Sequence, residues 1–366
     1  MSSSASPVAL EPLYELSDQE LDSRIQAAKD RLGTRMVILG HHYQREEVYK
    51  FADLTGDSLK LSRLASERPD AEYIVFCGVH FMAEVADILS ASKQTAILPD
   101  MAAGCSMADM ADLPAVNAAW AEIGTVIDVE STVTPITYVN STADLKAFCG
   151  EHGGTVCTSS NAKFVLEWAF KQREKVLFFP DQHLGRNTAF DLGISLDEMV
   201  VWDPAQANGG LTADQIREAK VILWYGYCSV HQGFLPEHVD MFRNKVPEIK
   251  VVVHPESMFE VCQKADELGS TEKIQQVVRD SASGSKWVIG TEFNLVNRLK
   301  HEMPDKEIYY LNPTVCMCST MFRIDPQHLL WTLENLEHDH VVNPIRVPEK
   351  EAELARVALD RMLAIM

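Results

Sequence analysis

The stretch Met36-Val-Ile-Leu-Gly-His-His-Tyr43 decides the fold, because an apolar run ends there in His-His-Tyr. The same layout recurs at Pro135-Ile-Thr-Tyr-Val-Asn-Ser141 and at Lys250-Val-Val-Val-His-Pro-Glu-Ser257. Each copy continues into a helix start rich in Ser or Thr, and these starts are Gly56-Asp-Ser58, Thr158-Ser-Ser-Asn161 and Gly269-Ser-Thr271. The repetition indicates one structural unit written three times.

Two more apolar runs follow in each copy, and the last one leads to cysteine. The earlier runs are Tyr73-Ile-Val-Phe76, Val176-Leu-Phe-Phe-Pro-Asp181 and Trp287-Val-Ile-Gly-Thr-Glu292. The later ones are Ile97-Leu-Pro-Asp100 before Cys105, Val221-Ile-Leu-Trp224 before Cys228, and Ile308-Tyr-Tyr-Leu311 before Cys316 and Cys318. Copies related by rotation bring equivalent strand ends to one axis, so we expect a metal site built by three cysteines there.

Strands alternate with amphipathic helical patterns, for example over residues 57–68 and 82–92. This alternation predicts an α/β fold of three similar αβα sandwich domains, with parallel sheets around a pseudo-threefold axis. Ligands of such sheets bind beyond the carboxyl ends of the strands. We expect a tail and first helix over residues 1–30, domain 1 over 31–115 completed by 319–366, domain 2 over 116–230, and domain 3 over 231–318.

Composition bounds the class of protein. The chain has 366 residues, eight cysteines and a formal net charge of -20. The charge argues against a nucleic-acid partner, and no apolar run is long enough for a bilayer, so no membrane is expected. Sparse cysteines and the lack of a signal-peptide pattern predict a cytoplasmic protein. Anionic substrates would need local donors such as hydroxyls and helix N-termini.

The cysteines fall into two groups. Cys77, Cys149, Cys157 and Cys262 lie in apolar or helical surroundings and are expected to be small buried hydrophobes. Cys105, Cys228 and one of the pair Cys316 and Cys318 could hold zinc or an iron-sulfur cluster, or could be three unrelated buried residues. In a four-iron cluster with three protein ligands, one iron is open and acts as a Lewis acid.

Acid-base side chains gather near the expected strand ends. Pro255 fixes the turn that relates His254 to Glu256. Ser58, Ser159 and Thr271 have two compatible interpretations, as helix N-caps and as parts of anion sites. The acid-base set is His41, Tyr43, His231, His254 and Glu256.

The motif series resembles the quinolinate synthase A family. The matching stretches run in order from Gly40-His-His-Tyr-Gln44 through Pro99-Asp100, Tyr138-Val-Asn-Ser141, Pro180-Asp-Gln-His-Leu-Gly-Arg-Asn187, Trp224-Tyr-Gly-Tyr-Cys-Ser-Val-His231 and His254-Pro-Glu256 to Gly290-Thr-Glu292. One departure is His42, where many members have Asn.

The resemblance implies a cytoplasmic enzyme of NAD biosynthesis with one 4Fe-4S cluster per chain. Such an enzyme condenses iminoaspartate with dihydroxyacetone phosphate to quinolinate, phosphate and water, and could contact L-aspartate oxidase transiently. The implied cluster ligands are Cys105, Cys228 and Cys318, the last through Cys318-Ser-Thr-Met321, with Cys316 as the alternative. The implied catalytic residues are His41, Tyr43, Glu256 and His254, and the substrate-binding residues are Ser58, Tyr138, Asn140, Ser159, Thr271 and His231.

Two rival functions differ in class. A non-catalytic iron-sulfur or zinc protein could sense redox state or scaffold a partner, but it would not need acid-base groups gathered at strand ends. A hydro-lyase acting on a small hydroxy acid would share both the cluster and those groups. Only substrate assays separate the hydro-lyase from the synthase.

Overall fold

The structure is a computed structural model that describes residues 6–66 and 68–365. Contacts divide it into two compact units. The first unit holds the described residues up to Cys105 together with Cys318–Val347, and the second holds Ser106–Met317 and the residues from Pro348 onward. None of the helices in the described ranges is long and apolar enough to cross a membrane.

Short strands alternate with helices along both units. The strands are β1 Met36–His41, β2 Leu54–Gly56, β3 Tyr73–Cys77, β4 Thr95–Ile97, β5 Val133–Tyr138, β6 Thr155–Cys157, β7 Lys175–Phe179, β8 Met199–Trp202, β9 Val221–Trp224, β10 Lys250–Val253, β11 Glu267–Leu268, β12 Lys286–Gly290 and β13 Glu307–Tyr310. The helices are α1 Asp18–Leu32, α2 Glu46–Tyr49, α3 Ser58–Ser66, α4 His80–Leu89, α5 Leu113–Gly124, α6 Val129–Thr132, α7 Ala143–Glu151, α8 Ala162–Gln172, α9 Gln182–Asp191, α10 Ala213–Glu218, α11 Ser229–Gln232, α12 Pro236–Lys245, α13 Phe259–Lys264, α14 Thr271–Asp280, α15 Phe293–Glu302, α16 Pro326–Glu337 and α17 Glu349–Ala364.

The strands form three sheets with one repeated order. The sheet of the first unit runs β2-β1-β3-β4, and the second unit contains the sheets β6-β5-β7-β9-β8 and β11-β10-β12-β13. All pairings between these strands are parallel. In each sheet the chain passes from the first strand to an edge strand and then returns to the other side. The predicted α/β fold with three similar parallel-sheet domains is therefore confirmed.

Burial of the central strands explains why they read as apolar runs. Every residue of β1, β5 and β7 is buried. Parallel sheets are covered by helices on both faces, so their strands are apolar throughout rather than alternating. The repeated order also places a crevice between the first and third strands of each sheet, at their carboxyl ends. Residues that follow β5, β7, β10 and β12 therefore line up beside such crevices.

The sequence suggested that the last helix completes the first domain. In the structure this helix belongs to the second unit instead. Helix α17 packs against α7 and β6 of the second unit, and the hydroxyl of Thr155 donates to the carbonyl of Ala358 at 2.9 Å. Helix α16 does belong to the first unit, where it packs against α1. The amphipathic pattern of α17 specifies a buried face without specifying the surface that covers it. The domain boundaries at residues 115, 230 and 318 stay a prediction.

Candidate active site

Glu256 is the centre of a buried polar cluster in the second unit. It follows β10, and its Oε1 accepts a hydrogen bond of 2.6 Å from the hydroxyl of Tyr138, which ends β5. The Nδ1 atom of His231 lies 2.8 Å from Glu256 Oε2, and Nδ1 of His254 lies 3.8 Å from Oε1. The structure thus brings together four of the residues that the sequence singled out.

The two histidines are stacked beside the carboxylate. The ring centroids of His231 and His254 are 4.7 Å apart, with an angle of 27° between the ring planes. On its far side, Nε2 of His231 lies 3.3 Å from the hydroxyl oxygen of Thr291. Nδ1 faces the Glu256 carboxylate, and in the tautomer with its proton on Nδ1 the Nε2 atom would accept from Thr291. Thr291 thus fixes the orientation of the imidazole that faces Glu256.

Burial and charge separate the protonation states within the cluster. Burial lowers the pKa of His254 to about 3, against the opposing effect of Glu256, so this imidazole is neutral near pH 7. Burial alone would raise the pKa of Glu256, but His254, His231 and the hydrogen bond from Tyr138 lower it. The result is an ionised carboxylate that accepts hydrogen bonds from its neighbours.

Asp181 is a second buried carboxyl group in this region. It follows β7 by way of Pro180, and its Oδ1 accepts a hydrogen bond of 2.6 Å from the backbone N–H of Leu184 at the start of α9. Burial raises the pKa of Asp181 well above the ordinary value, and the charge of Glu256 raises it further. Burial and the charge of Glu256 thus both favour the protonated form of Asp181, whereas the groups around Glu256 favour its ionised form.

The side chains that cap α3 and α14 are not the predicted ones. In α3 the capping atom is Oδ1 of Asp57, which accepts from the N–H of Lys60, while in α14 it is the hydroxyl of Ser270, which accepts from Lys273. Ser58 and Thr271 occupy the first helical position instead. The N-cap interpretation of these two residues is therefore wrong, because the preceding side chain provides the cap.

Two other predicted substrate-binding residues have contrasting environments. Oδ1 of Asn140 is buried and has no hydrogen-bond partner among the described residues, and the same holds for the hydroxyl of Thr271. Ser159 lines an open cavity of about 490 Å³ together with Gly269 and Ser270. Buried polar atoms in native proteins normally have a partner, so Asn140 and Thr271 are suited to pair with a bound molecule.

His41 and Tyr43 lie together at the end of β1 in the first unit. His41 is buried, and its Nδ1 accepts a hydrogen bond of 3.2 Å from the backbone N–H of Tyr43. The two rings meet edge to face with 4.9 Å between their centroids. The pairing holds the Tyr43 ring against the imidazole.

The structure divides the cysteines as the sequence predicted. The four expected to be hydrophobic are buried, and burial raises the pKa of each thiol, that of Cys77 to about 12. The other four are partly exposed, with Cys105 and Cys318 in the first unit and Cys228 and Cys316 in the second. Partly exposed thiols lose less solvation on ionising than buried ones, so they form thiolates more readily.

Cys228 also belongs to a group that could hold a metal ion. Its sulfur and one ligand atom each from His231 and Glu256 all lie within 4.8 Å of one another. A single thiolate with an imidazole and a carboxylate suits a lone divalent ion, whereas an iron-sulfur cluster takes thiolates. The partly exposed cysteines are therefore the donors whose chemistry fits a cluster.

Thr291 and Asp181 were not assigned from the sequence, although a signal for both exists. Thr291 follows β12 as His254 follows β10, and Asp181 follows β7 in the same manner. Both positions lie at carboxyl ends of parallel strands, where ligand sites form. Because both residues follow strands of the repeated layout, that layout could have been used to select them as site candidates.

Carboxyl, imidazole and hydroxyl side chains lie past the strand ends of these parallel sheets. This arrangement is typical of an α/β enzyme. The family described as "Quinolinate synthetase A protein" matches residues 23–364 of the chain. The chain belongs to this family, and it is an enzyme of NAD biosynthesis.

Similar proteins named "Quinolinate synthase" occur in several bacteria. One from Acidobacterium capsulatum is 59% identical over 98% of this chain and 96% of its own length. One from Rhodopirellula baltica is 54% identical over 97% and 93%, and one from Geobacillus sp. strain WCH70 is 56% identical over 96% and 95%. The chain therefore matches these relatives over nearly their whole length.

Proposed function

We propose that the chain condenses iminoaspartate with dihydroxyacetone phosphate to give quinolinate, phosphate and water. The observation that carries the proposal is the carboxylate of Glu256, which is ionised, buried and hydrogen-bonded by Tyr138 at 2.6 Å. Ring formation from these substrates needs repeated proton transfers, and a held carboxylate can perform them. Membership of the quinolinate synthetase A family supports the same reaction.

Glu256 and Tyr43 would move the protons in this scheme. Glu256 accepts a proton from carbon or nitrogen of the substrate, and His231, 2.8 Å away, stabilises the changing charge of the carboxyl group. Tyr43 would serve as the second proton-transfer group, with its ring held against His41. His254, which is neutral near pH 7, would assist by orienting the carboxylate.

Substrate binding would use hydroxyl and amide groups. The substrates carry carboxylates and a phosphate, and these anions need hydrogen-bond donors because the chain itself is strongly acidic. Thr271 offers a buried hydroxyl without a partner among the described residues, and Asn140 offers a buried amide oxygen to a donor such as an imine N–H. Ser58, at the first position of α3, and Ser159, beside its cavity, would complete the set.

One 4Fe-4S cluster per chain would be held by Cys105, Cys228 and Cys318. Bound there, it would supply a Lewis-acid iron for loss of water. These thiols are partly exposed, whereas four of the other cysteines are buried with raised thiol pKa values. We further propose a cytoplasmic location and a transient contact with L-aspartate oxidase.

Anaerobic purification followed by paired measurements tests the proposal. Iron and sulfide are quantified on the same sample that is assayed for quinolinate from the two substrates. The expected result is about four irons per chain together with quinolinate formation. A cluster without quinolinate would point to a hydro-lyase or a sensor, and zinc in place of iron would overturn the cysteine assignment.

Cys316 and Cys318 provide a matched pair of variants. Cys318→Ser is expected to lose the cluster, and Cys316→Ser to keep it, because only one of the two is needed as the third ligand. Iron content per folded chain is the measurement. The reverse outcome would reassign the ligand to Cys316.

A further inference from the structure

Asn187 is a buried residue of α9 that contacts the backbone on both sides of Glu256. Its Nδ2 donates to the carbonyl of Pro255 at 2.8 Å and to the carbonyl of Ser257 at 2.9 Å. These carbonyls belong to the residues immediately before and after Glu256. A single amide group therefore fixes the peptide units that carry the carboxylate.

Asn187 is the donor that reaches both of these carbonyls. The N–H of Ser257 donates to the carbonyl of His254 at 3.0 Å, which closes the turn but leaves the carbonyls of Pro255 and Ser257 to be satisfied from outside. Buried carbonyls require partners: Asn187 donates to both, and the thiol of Cys262 adds a longer bond of 3.5 Å to the carbonyl of Ser257. The third contact of Asn187, 3.2 Å from the sulfur of Cys262, keeps the amide in place.

The helix that carries Asn187 is itself fixed. Asp181 caps the start of α9, and a Cβ atom at Gly185 would lie 2.6 Å from a methyl carbon of Leu223, so α9 packs closely on the sheet. A side chain on such a helix holds its partners at constant distance. The segment from Pro180 to Asn187 thus connects β7 to the turn after β10.

We propose that Asn187 is a positioning residue that holds the turn at Glu256, and so keeps its carboxylate in reach of Tyr138 and His231. The inference rests on the proposed acid-base function of Glu256. The separations to be maintained are 2.6 Å to the Tyr138 hydroxyl and 2.8 Å to Nδ1 of His231. A displacement of about 1 Å at a reacting group can cost about 100-fold in rate.

Steady-state kinetics of Asn187→Ala and Asn187→Ser test this role in the holoenzyme. Alanine removes both donors, and kcat is expected to fall about 10- to 100-fold while KM changes less than about 3-fold. Serine retains one donor and is expected to fall between alanine and the wild type. If Asn187→Ala does not fold, Asn187→Ser is judged by the same criteria.

Asn335→Ala is the matched control. Asn335 is also a buried amide that binds backbone, since its Nδ2 donates to the carbonyls of Trp331 at 2.8 Å and Val8 at 3.2 Å. Among the described residues, its side-chain hydrogen bonds go to the backbone of Trp331 and Val8, which have no role in the proposed chemistry. The control is expected to lose stability and to keep its kcat.

Histidine 15N signals of the resting protein provide a readout that does not need turnover. The signals of His231 and His254 are expected to shift in both Asn187 variants and to stay unchanged in Asn335→Ala. If the wild type makes no quinolinate, the proposed function fails while these signals still decide the positioning role. A folded Asn187→Ala that keeps wild-type signals for both histidines overturns the proposal, whatever its kcat.

Discussion

Ser270 and Thr271 are adjacent hydroxyl residues with opposite surroundings. The hydroxyl of Ser270 accepts from the N–H of Lys273 and caps α14. The hydroxyl of Thr271 is buried and has no partner in the described part of the chain. An unsatisfied buried hydroxyl lowers stability, and a bound ligand would satisfy it.

Replacing Thr271 by Val should lower kcat/KM without lowering the stability of the fold. Val has the same shape without the hydroxyl, so the free energy of unfolding is expected to stay within about 1 kcal/mol or to rise. A hydrogen bond to a charged substrate group contributes about 1.5–3 kcal/mol, so kcat/KM is expected to fall about 10- to 100-fold. Urea unfolding and steady-state kinetics on the same preparation measure both effects.

Ser270→Ala is the control, with the opposite expectation. Loss of the cap should lower the free energy of unfolding by about 1 kcal/mol, and kcat/KM should fall less than in Thr271→Val. Equal activity losses in the two variants would contradict the assignment of Thr271 to substrate binding.

Alkylation should distinguish the two groups of cysteines. In protein freed of iron by a chelator, iodoacetamide at pH 8.5 is expected to modify the partly exposed thiols and to spare the buried ones. Burial raises the pKa of Cys77 to about 12, so its reactive thiolate stays scarce until the pH approaches that value. Mass spectrometry of the peptides identifies the modified sites.

Unfolded protein, in which all eight cysteines are accessible, is the control for alkylation. Labelling of Cys149 or Cys157 in the folded protein would show that these residues are not the inert hydrophobes described above. A protected Cys228 in the iron-free protein would argue against its accessibility as a ligand.

At the scale of elements, α7 and α17 approach each other closely at one glycine. A Cβ atom at Gly150 would lie 2.0 Å from the carbonyl oxygen of Leu354. The obstacle is backbone, which cannot rotate away as a side chain can. The helix pair is therefore built around the missing side chain of Gly150.

Gly150→Ala is expected to lower the free energy of unfolding by about 1–3 kcal/mol, because the added methyl group forces the two helices apart. Gly124→Ala in α5 is the matched control, since a Cβ atom there would meet only Cγ1 of Val129 at 3.4 Å. The control should be neutral or slightly stabilising, because Ala favours helix. Urea unfolding compares the two, and a stable Gly150→Ala would refute the close packing.

The length of a strand decided whether it could be predicted from the sequence. The strands β1, β7 and β12 were predicted because they are continuous apolar runs between polar residues. The edge strands β2 and β11 were missed because they have only three and two residues, too few for a pattern. The cysteine-linked strand was expected to be the third of each copy, but it is the fourth in the first and third copies and the fifth in the second, where β8 precedes it.

The sequence placed several candidate site residues at strand ends but did not predict their contacts. Glu256, His254 and Tyr138 were identified because the carboxyl ends of parallel strands collect functional groups. The hydrogen bond between Tyr138 and Glu256 joins residues 118 positions apart and depends on how two sheets of the second unit pack. Periodicity within one strand carries no information on such packing, so the partners of each acid remained unknown.

At the scale of the whole molecule, the chain returns to the second unit only at its last helix. Helix α17 buries Ala355, Ala358, Leu359 and Met362, and Arg361 donates to the carbonyl of Gly154 at 2.7 Å. The first unit has its own late helix, α16, which packs on α1. Each unit is therefore completed by a different part of the carboxyl-terminal region.

Removal of residues 348–366 should affect one unit selectively. Amide hydrogen exchange is expected to accelerate in α7 and β6, which lose the apolar face of α17, and to stay slow in β1 and α1. Mass spectrometry of peptic fragments from full-length and shortened protein makes the comparison. Equal acceleration in both sets would contradict the assignment of α17 to the second unit.

The edge of the first sheet has a consequence for how the protein is made. Strand β4 is covered by a late segment: Ile97 pairs antiparallel with Pro344, and the N–H of Ile345 donates to the carbonyl of Ala96 at 2.8 Å. An uncovered edge strand is a template for aggregation. During synthesis this edge is expected to stay uncovered until Pro344 and Ile345, which lie far downstream of β4, have emerged. The nascent chain is therefore expected to be more prone to edge-to-edge association than the folded protein.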